Sequence, residues 1–304
     1  MNTGANVAAQ SLAGEARVAA RTIPWTETFY WCVRRELWEH KAIYLGPAAA
    51  AGVYLFGFLL TLHRLPQRMR DAIADPSKLK AIAHSYEFAA VAIMLVAMLV
   101  EIFYCLEAFQ GERKDRSILF WKSLPVSDLT TVLSKLSIPF LVLPVVAYVA
   151  LIITGFVMLV LSSMVLAANG LNAGPLWTQL SLAPQAWGLL YHMVTVHILW
   201  YAPLYCWMLL ISAWARRAAF VWAFLPPFCV GMLEKIVFNT MHFATWIGYR
   251  TSGGMEAEPA AGMMPSTHLT PLRFLADPGL WLGWIAAAIF IYATVRIRRN
   301  REPN

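Results

Sequence analysis

The chain has 304 residues, of which 59% are hydrophobic and 13% are charged, and its mean hydropathy is +0.57. These values exclude an ordinary soluble domain, in which roughly a quarter of the residues are charged. The formal net charge of +7 does not indicate a nucleic-acid partner, because the basic residues flank apolar segments, as in membrane anchoring. The sequence therefore predicts an all-α integral membrane protein with a single transmembrane domain over residues 1–304.

The first 41 residues precede the first long apolar run. Residues 1–23 lack the apolar core of a signal peptide, so we expect a flexible N-terminus that stays in the cytoplasm. Over residues 24–41, apolar side chains recur at four-residue intervals from Trp25 to Leu37, and charged side chains occupy the other side. This pattern predicts a helix in the membrane interface or, alternatively, a solvent-exposed N-terminal extension of the first span.

A membrane-crossing helix needs roughly 20 apolar residues, and six segments come close to or exceed that length. They cover residues 42–62, 88–109, 136–168, 185–214, 218–233 and 280–295. Prolines are expected to break the third span near Pro139 and Pro144 and to bend the fifth at Pro226-Pro227. Six crossings place both termini on the same side of the membrane.

The distribution of basic residues predicts the orientation of these spans. With both termini, residues 110–135 and the Arg216-Arg217 turn in the cytoplasm, that side holds sixteen of the 24 Lys and Arg residues. Five of the other eight lie between Arg64 and Lys80. The outer loop over residues 63–83 therefore departs from the positive-inside rule. We keep this orientation because the opposite one would place sixteen basic residues outside the cell.

The connection between the second and third spans, residues 110–128, contains the sequence GERKDRSILFWKSLPVSD. Five consecutive charges lie near its start: Glu112, Arg113, Lys114, Asp115 and Arg116. They cannot lie in hydrocarbon, so we expect the segment to lie in water at the membrane surface, where the second span ends and the third begins. Its apolar and charged surface favours a helix docked on a cytoplasmic partner over a solvated loop. Ser127 or Asp128 is expected to cap the next helix.

The segment between the fifth and sixth spans, residues 234–278, does not fit a plain loop. Residues 236–249 are apolar and aromatic but too short to cross a membrane, which predicts a short re-entrant or outer helix. Glu234 and Lys235 precede this helix, and we expect them to neutralise each other at the membrane boundary.

Few ionisable residues lie inside the predicted spans, and each is a candidate for a functional role. The candidates for a translocation path or for intramembrane polar contacts are Glu101, Glu107, His197, Glu234 and Lys235. For Glu101 two interpretations stay open. It either lines a path or acts as a switch contact, or it is hydrogen-bonded to a neighbouring span within the bundle.

Motifs that carry chemistry are missing from the chain. There is no G-x-x-x-x-G-K-[ST] phosphate loop, no HExxH, no GxSxG and no paired-cysteine motif. His192 and His197 are five residues apart and do not share a helix face, so they do not predict a metal site. We therefore expect no catalytic residue, no metal and no nucleotide hydrolysis by this chain alone.

The layout of the spans and the segment GERKDRSILFWKSLPVSD resemble the permease subunits of bacterial type-2 ABC exporters. The resemblance covers nearly the whole chain by layout, and by motif about Glu101 to Lys135. It implies that residues 24–41 form an elbow helix and that residues 110–128 form a coupling helix on the ATPase subunit. The residues implied in that contact are Glu112, Arg113, Lys114, Asp115, Arg116, Trp121 and Lys122.

The same resemblance implies the partners and the location of the protein. ATP and Mg²⁺ would be bound by a separate ATP-binding subunit, and two permease chains would form a homodimer surrounded by membrane lipid. The multi-pass chain would lie in the inner membrane of a bacterium, with both termini in the cytoplasm. The alternatives are an ion-coupled carrier or channel, or a membrane-embedded enzyme with convergent polar groups in its spans.

Overall fold

The computed structural model describes residues 24–114, 126–179, 182–253 and 271–300, and none of these residues is in a β-strand. Five of the helices are long and apolar enough to cross a membrane, and a bent pair of helices makes a sixth if the pair is one span. The prediction of an all-α membrane protein is therefore confirmed.

The first two helices agree with the sequence pattern. Helix α1 covers Trp25–Glu39 and α2 covers Ala42–Leu62. The basic loop that follows is mostly helical, with α3 over Leu65–Ala74 and a 3₁₀ turn over Pro76–Lys78. One face of α3 is buried and the other carries exposed arginines. The sequence suggested a plain loop here because these charges interrupt the apolar run.

Helix α4, Leu79–Glu107, leads into the short helix α5, Gln110–Lys114. After the gap in the described residues, Ser127 caps α6, Asp128–Ser137, and its Oγ accepts a hydrogen bond from the Thr130 N–H at 3.0 Å. This cap confirms one of the two predicted capping residues.

The third span is continuous from Asp128 to Ala168, so the predicted break at its prolines is wrong. A π-helical turn over Ile138–Val142 joins α6 to α7, Leu143–Ala168. Proline lacks an N–H donor and its ring clashes with a carbonyl one turn earlier. The wider π turn accommodates Pro139 without ending the helix, while Pro144 lies in the first turn of α7, where a missing N–H is tolerated.

The fourth span is the bent one. Helices α8, Gly174–Gln179, and α9, Leu182–His192, lead into a π-helical stretch over Met193–Trp200 and then into α10, Ala202–Trp214. The two halves of the span meet at 47°. Pro203, at the start of α10, lacks the N–H donor that a straight continuation would need.

The remaining helices correct the predicted boundaries. Helix α11, Ala219–Phe238, is continuous through its two prolines and takes up the start of the predicted 236–249 helix. Helix α12 then begins only at His242 and ends at Thr251. Helices α13, Pro271–Leu275, and α14, Pro278–Asn300, complete the described chain.

Successive long helices run in opposite directions, so the bundle has two ends. One end carries α1, α5, the start of α6 and the end of α14, and the other carries α3, α8, α12 and α13. The main apolar core includes Ile43, Ile93, Cys105 and Leu209, and a second core forms where Met69 of α3 packs near the opposite end. Helix α11 lies at the periphery of the bundle, since only 6% of its apolar stretch of 18 residues is buried.

Candidate functional site

A network of buried ion pairs lies at the end of the bundle that carries α1 and α5. At its centre, Lys135 Nζ of α6 lies 2.8 Å from Glu36 Oε1 of α1 and 3.1 Å from Glu112 Oε1 of α5. The side chains of Lys135 and Glu36 are each only 1% exposed. Three helices that are distant in the sequence thus meet at one buried lysine.

Two arginines extend the network. Arg35 Nη2 of α1 donates to Glu36 Oε1 at 2.9 Å and to Glu112 Oε1 at 2.7 Å. Arg298 of α14 donates from Nε to Asp128 Oδ1 at 2.9 Å, and its Nη1 lies 3.5 Å from Glu112 Oε2. Glu112 is therefore contacted by cations from three separate helices. We call these six residues, Arg35, Glu36, Glu112, Asp128, Lys135 and Arg298, the ion-pair network.

The six residues of the ion-pair network are three acids and three bases, so their formal charges balance, and the more exposed Glu39 makes one further contact with Arg35 Nε at 3.3 Å. This balance matters because an unpaired buried charge is far more costly than a paired one. The remaining oxygen of Glu36, Oε2, accepts a hydrogen bond from the Tyr104 hydroxyl at 2.9 Å. Burial opposes the charge on Arg35, but Glu36 and Glu112 outweigh it and raise the pKa of the guanidinium above its usual value.

The network holds both ends of the charged connection between the second and third spans. Glu112 precedes residues 115–125 and Asp128 follows them, and Arg298 contacts both carboxylates. Asp115, Arg116, Trp121 and Lys122, which were predicted to contact a partner, lie outside the described residues. For Lys114 only the backbone, at the end of α5, is described.

Arg113, another predicted contact residue, points back towards the bundle. Its Nε donates to the Phe109 carbonyl at 3.3 Å, and its Nη2 donates to the carbonyl of Ser212 in α10. The Ser212 hydroxyl in turn accepts hydrogen bonds from the N–H groups of Phe109 and Gln110, at 3.0 and 3.2 Å. The start of the charged connection is thereby attached to the fourth span as well.

A second polar cluster lies inside the bundle between α4 and the bent span. The carboxylate of Glu101 is 1% exposed, and its Oε2 accepts a hydrogen bond from the Tyr205 hydroxyl at 2.8 Å. His197 Nδ1 lies 3.9 Å from the same oxygen and has no hydrogen-bond partner. This geometry corresponds to the second interpretation of Glu101, a carboxylate bonded to a neighbouring span.

His197 belongs to the π-helical stretch next to the bend at Trp200. Its ring makes edge contacts with His192 at 6.1 Å and with Tyr201 at 5.6 Å between centroids. π-helical turns inside α-helices often occur at functional sites, and an ionisable pair within a span is a functional candidate by default. The sequence identified Glu101 and His197 separately, and the structure brings them together.

The other predicted polar residues do not join this cluster. Glu107 is exposed at the end of α4, and Lys235 is exposed on α11. The expected pairing of Glu234 with Lys235 is not observed, because adjacent helical residues do not face each other. Glu234 instead accepts hydrogen bonds at 2.8 Å from the N–H groups of His242 and Phe243 and from the Thr240 hydroxyl, so it caps α12.

Sequence reasoning missed most of the ion-pair network. Glu36 was not singled out from the sequence, and Lys135 and Arg298 were counted only among the basic residues that flank the spans. One signal was available: Lys135 is a single cation four residues before Pro139, directly in front of a long charge-free run. Among the described residues, no group of three or more His, Cys, Asp and Glu side chains is placed to hold a metal ion.

Comparisons of this chain with protein-family models, with curated proteins and with solved structures found no match.

Proposed function

We propose that this chain is the membrane-spanning subunit of an ATP-driven exporter, and that it forms the translocation path and couples it to a separate ATP-binding subunit. In this proposal α1 is the elbow helix and residues 110–128 are the coupling segment, with both termini in the cytoplasm of a bacterial cell. The chain itself contributes no catalytic residue, because ATP and Mg²⁺ bind to the partner.

The observation that carries the proposal is the attachment of the coupling segment to the ion-pair network. Force applied by a partner to residues 115–125 would reach Glu112 on one side and Asp128 on the other. From these two carboxylates it would pass through Arg298 to the last span and through Lys135 and Arg35 to α1. A loop that only joined two spans would not need these buried contacts.

The peripheral position of α11 supports a second permease chain. Large apolar side chains such as Phe228 and Phe238, which are 67% and 72% exposed, cover its surface. Such a surface packs against lipid or against another span. We assign part of it to a second copy of this chain, which completes the translocation path as a homodimer.

Binding of the ATPase can be tested at the coupling segment. Buried Trp and Arg anchors commonly lose about 2 kcal/mol or more when they are truncated to alanine, which is roughly a thirtyfold loss of affinity. Trp121→Ala and Arg116→Ala should therefore release the ATP-binding subunit in a pull-down, or leave it bound without transport. The control is Trp246→Ala, since Trp246 is 58% exposed at the opposite end of the bundle.

The result that would contradict the proposal is equally specific. If Trp121→Ala and Arg116→Ala bind the ATPase and transport as the unaltered chain does, in correctly inserted protein, the coupling role of residues 110–128 is wrong.

The purified chain alone is expected to hydrolyse no ATP and to gain activity only with the partner subunit. Hydrolysis by the isolated chain would contradict this expectation.

The cluster around Glu101 and His197 favours one alternative, an ion-coupled carrier. Buried acids and histidines within spans often form ion or proton pathways, and the bent span resembles the broken helices of carriers. The two functions differ in their energy source. Uptake or export that follows an imposed ion gradient without an ATPase, and that Glu101→Gln abolishes, would favour the carrier over the exporter.

A further inference from the structure

An apolar groove of about 690 Å³ runs along the outside of the bundle between α2 and α4. Its lining includes Ala49, Val53, Gly57 and Thr61 of α2 and Ser85 and Ala92 of α4. The lining also includes the larger side chains of Tyr54, Phe58 and Val96, but there is open space beside Gly57, because a Cβ atom built there meets no other atom within 4 Å. Val53, in the middle of the groove, is 74% exposed.

The groove is longer than one leaflet of the bilayer core, so it can take the full length of one acyl chain. Its α2 lining extends from Gly46 to Thr61, which is about 22 Å along the axis at a rise of 1.5 Å per residue. The hydrocarbon core of a bilayer is about 30 Å thick, so one leaflet accounts for about half of that. The groove therefore extends from the membrane boundary past the midplane.

A basic residue, Arg68, lies beside the end of the groove that Thr61 lines. Arg68 of α3 lines a small cavity of about 20 Å³ that shares Phe58, Thr61 and Ser85 with the groove. Five basic and two acidic residues lie between Arg64 and Lys80. Within the described part of the chain, Arg68 and Arg70 form no ion pair with a carboxylate. A basic amphipathic helix at the membrane boundary attracts anionic lipids.

We propose that this groove and Arg68 form a binding site for one anionic phospholipid, with an acyl chain along α2 and the phosphate at Arg68. The site goes beyond the transport function proposed above and does not depend on it. A second copy of the chain fits the groove less well. Two copies share one orientation in the membrane, so a two-fold contact here would bring two basic α3 segments to the same level.

The site can be tested by native mass spectrometry of the full chain in mild detergent. Phosphatidylglycerol and phosphatidylcholine with identical acyl chains are titrated separately, and glycerol phosphate serves as a headgroup without chains. We expect tighter binding of phosphatidylglycerol than of phosphatidylcholine, and no retained glycerol phosphate. Equal binding of the two lipids would overturn the proposal, as would retention of glycerol phosphate alone.

Two pairs of variants separate the headgroup from the acyl chain. Arg68→Gln should weaken phosphatidylglycerol binding about fivefold and leave phosphatidylcholine unchanged, whereas Arg217→Gln, at an exposed turn of the other end, should change neither. Gly57→Leu should fill the groove and weaken the binding of both lipids. Gly52→Leu is its control, because Gly52 also has open space around its Cβ position but does not line the groove.

Unchanged lipid binding in Gly57→Leu would overturn the assignment. If the same variant also lost self-association, measured by cross-linking in membranes, the groove would be assigned to a second copy of the chain instead.

Discussion

Arg250 shows how one residue can be buried as a cation at the end of the bundle opposite the ion-pair network. It is 4% exposed, and within the described residues it has no carboxylate in ion-pair contact. Its Cζ lies 4.3 Å from the centroid of the Trp200 ring, and its Nη1 donates to the Gly279 carbonyl at 2.9 Å. Burial lowers the pKa of this guanidinium, and the negative charge of Asp277 offsets part of that effect. The Trp200 ring adds a cation–π contact.

Gly283 makes room for this guanidinium, which yields a first prediction. A Cβ atom on Gly283 would lie 1.9 Å from Arg250 Nη2 and 2.6 Å from Cζ, so Gly283→Ala must displace the guanidinium from Trp200 and Gly279. We expect a loss of about 1–3 kcal/mol, measured as a lower thermal unfolding midpoint in detergent. Gly248→Ala is the control, because its Cβ meets no atom within 4 Å.

The mechanism is specific enough to be tested by a double substitution. If displacement of Arg250 causes the loss, Arg250→Met should make the protein insensitive to Gly283→Ala. A Gly283→Ala variant with the unfolding midpoint of the unaltered chain would show that the guanidinium is not held as described.

At the scale of elements, Lys135 connects α1, α5 and α6. Lys135→Met removes the cation between Glu36 and Glu112 and leaves two buried carboxylates with fewer partners. Breaking a buried ion pair in this way costs about 3–5 kcal/mol. We expect a lower yield of folded protein and a lower unfolding midpoint, measured by size-exclusion chromatography after heating.

A matched control uses another lysine of the same chain. Lys235 is exposed on α11, so Lys235→Met should leave the unfolding midpoint nearly unchanged. Adding Glu36→Gln to Lys135→Met should recover part of the loss, because it removes one of the two buried carboxylates that lost a cationic partner. Equal midpoints for Lys135→Met and Lys235→Met would be incompatible with a structural role of the network.

The elements differ in how far the sequence could predict them. The bounds of α2 were predicted, because an uninterrupted apolar run ends at polar residues on both sides. Helix α3 was missed because its apolar face is only three or four residues wide and its charges dominate the local pattern. The bend at Trp200 was missed because its one sequence signal, Pro203, was not used, and because the adjoining π-helical turns depend on packing and leave no periodic signal.

The ion-pair network could not be predicted for a different reason. Its pairs are far apart in the sequence: Arg35 and Glu112 differ by 77 positions, Glu36 and Lys135 by 99, and Glu112 and Arg298 by 186. Local periodicity carries no information about such contacts, which depend on how the long helices pack. Glu101 and His197 were each found from the sequence because a single ionisable side chain inside an apolar helix is conspicuous, but their proximity to each other and the hydrogen bond from Tyr205 to Glu101 were not.

At the scale of the whole molecule, the two ends of the bundle differ in how their charges are held. The end with α1 and α5 contains the buried, balanced network, whereas the basic residues of α3 at the other end are exposed and face the surroundings. The count of basic residues predicts that the first end lies in the cytoplasm. The basic charge of α3 would then lie on the outer side, where the proposed lipid site would account for it without an inverted topology.

This orientation gives the last prediction. In a background without the four native cysteines, single cysteines replace Ser117 in the coupling segment, Asn300 at the end of α14 and Ser252 after α12. A membrane-impermeant maleimide should label the first two only from the cytoplasm and the third only from outside, because in the six-span topology an odd number of crossings lies between Ser252 and each of the other two positions. A cysteine at Ala287, which is 2% exposed, is the control and should react only after denaturation. Labelling at Ser252 from the cytoplasm would contradict six crossings, and labelling of Ser117 and Asn300 from outside would contradict the orientation given by the basic residues.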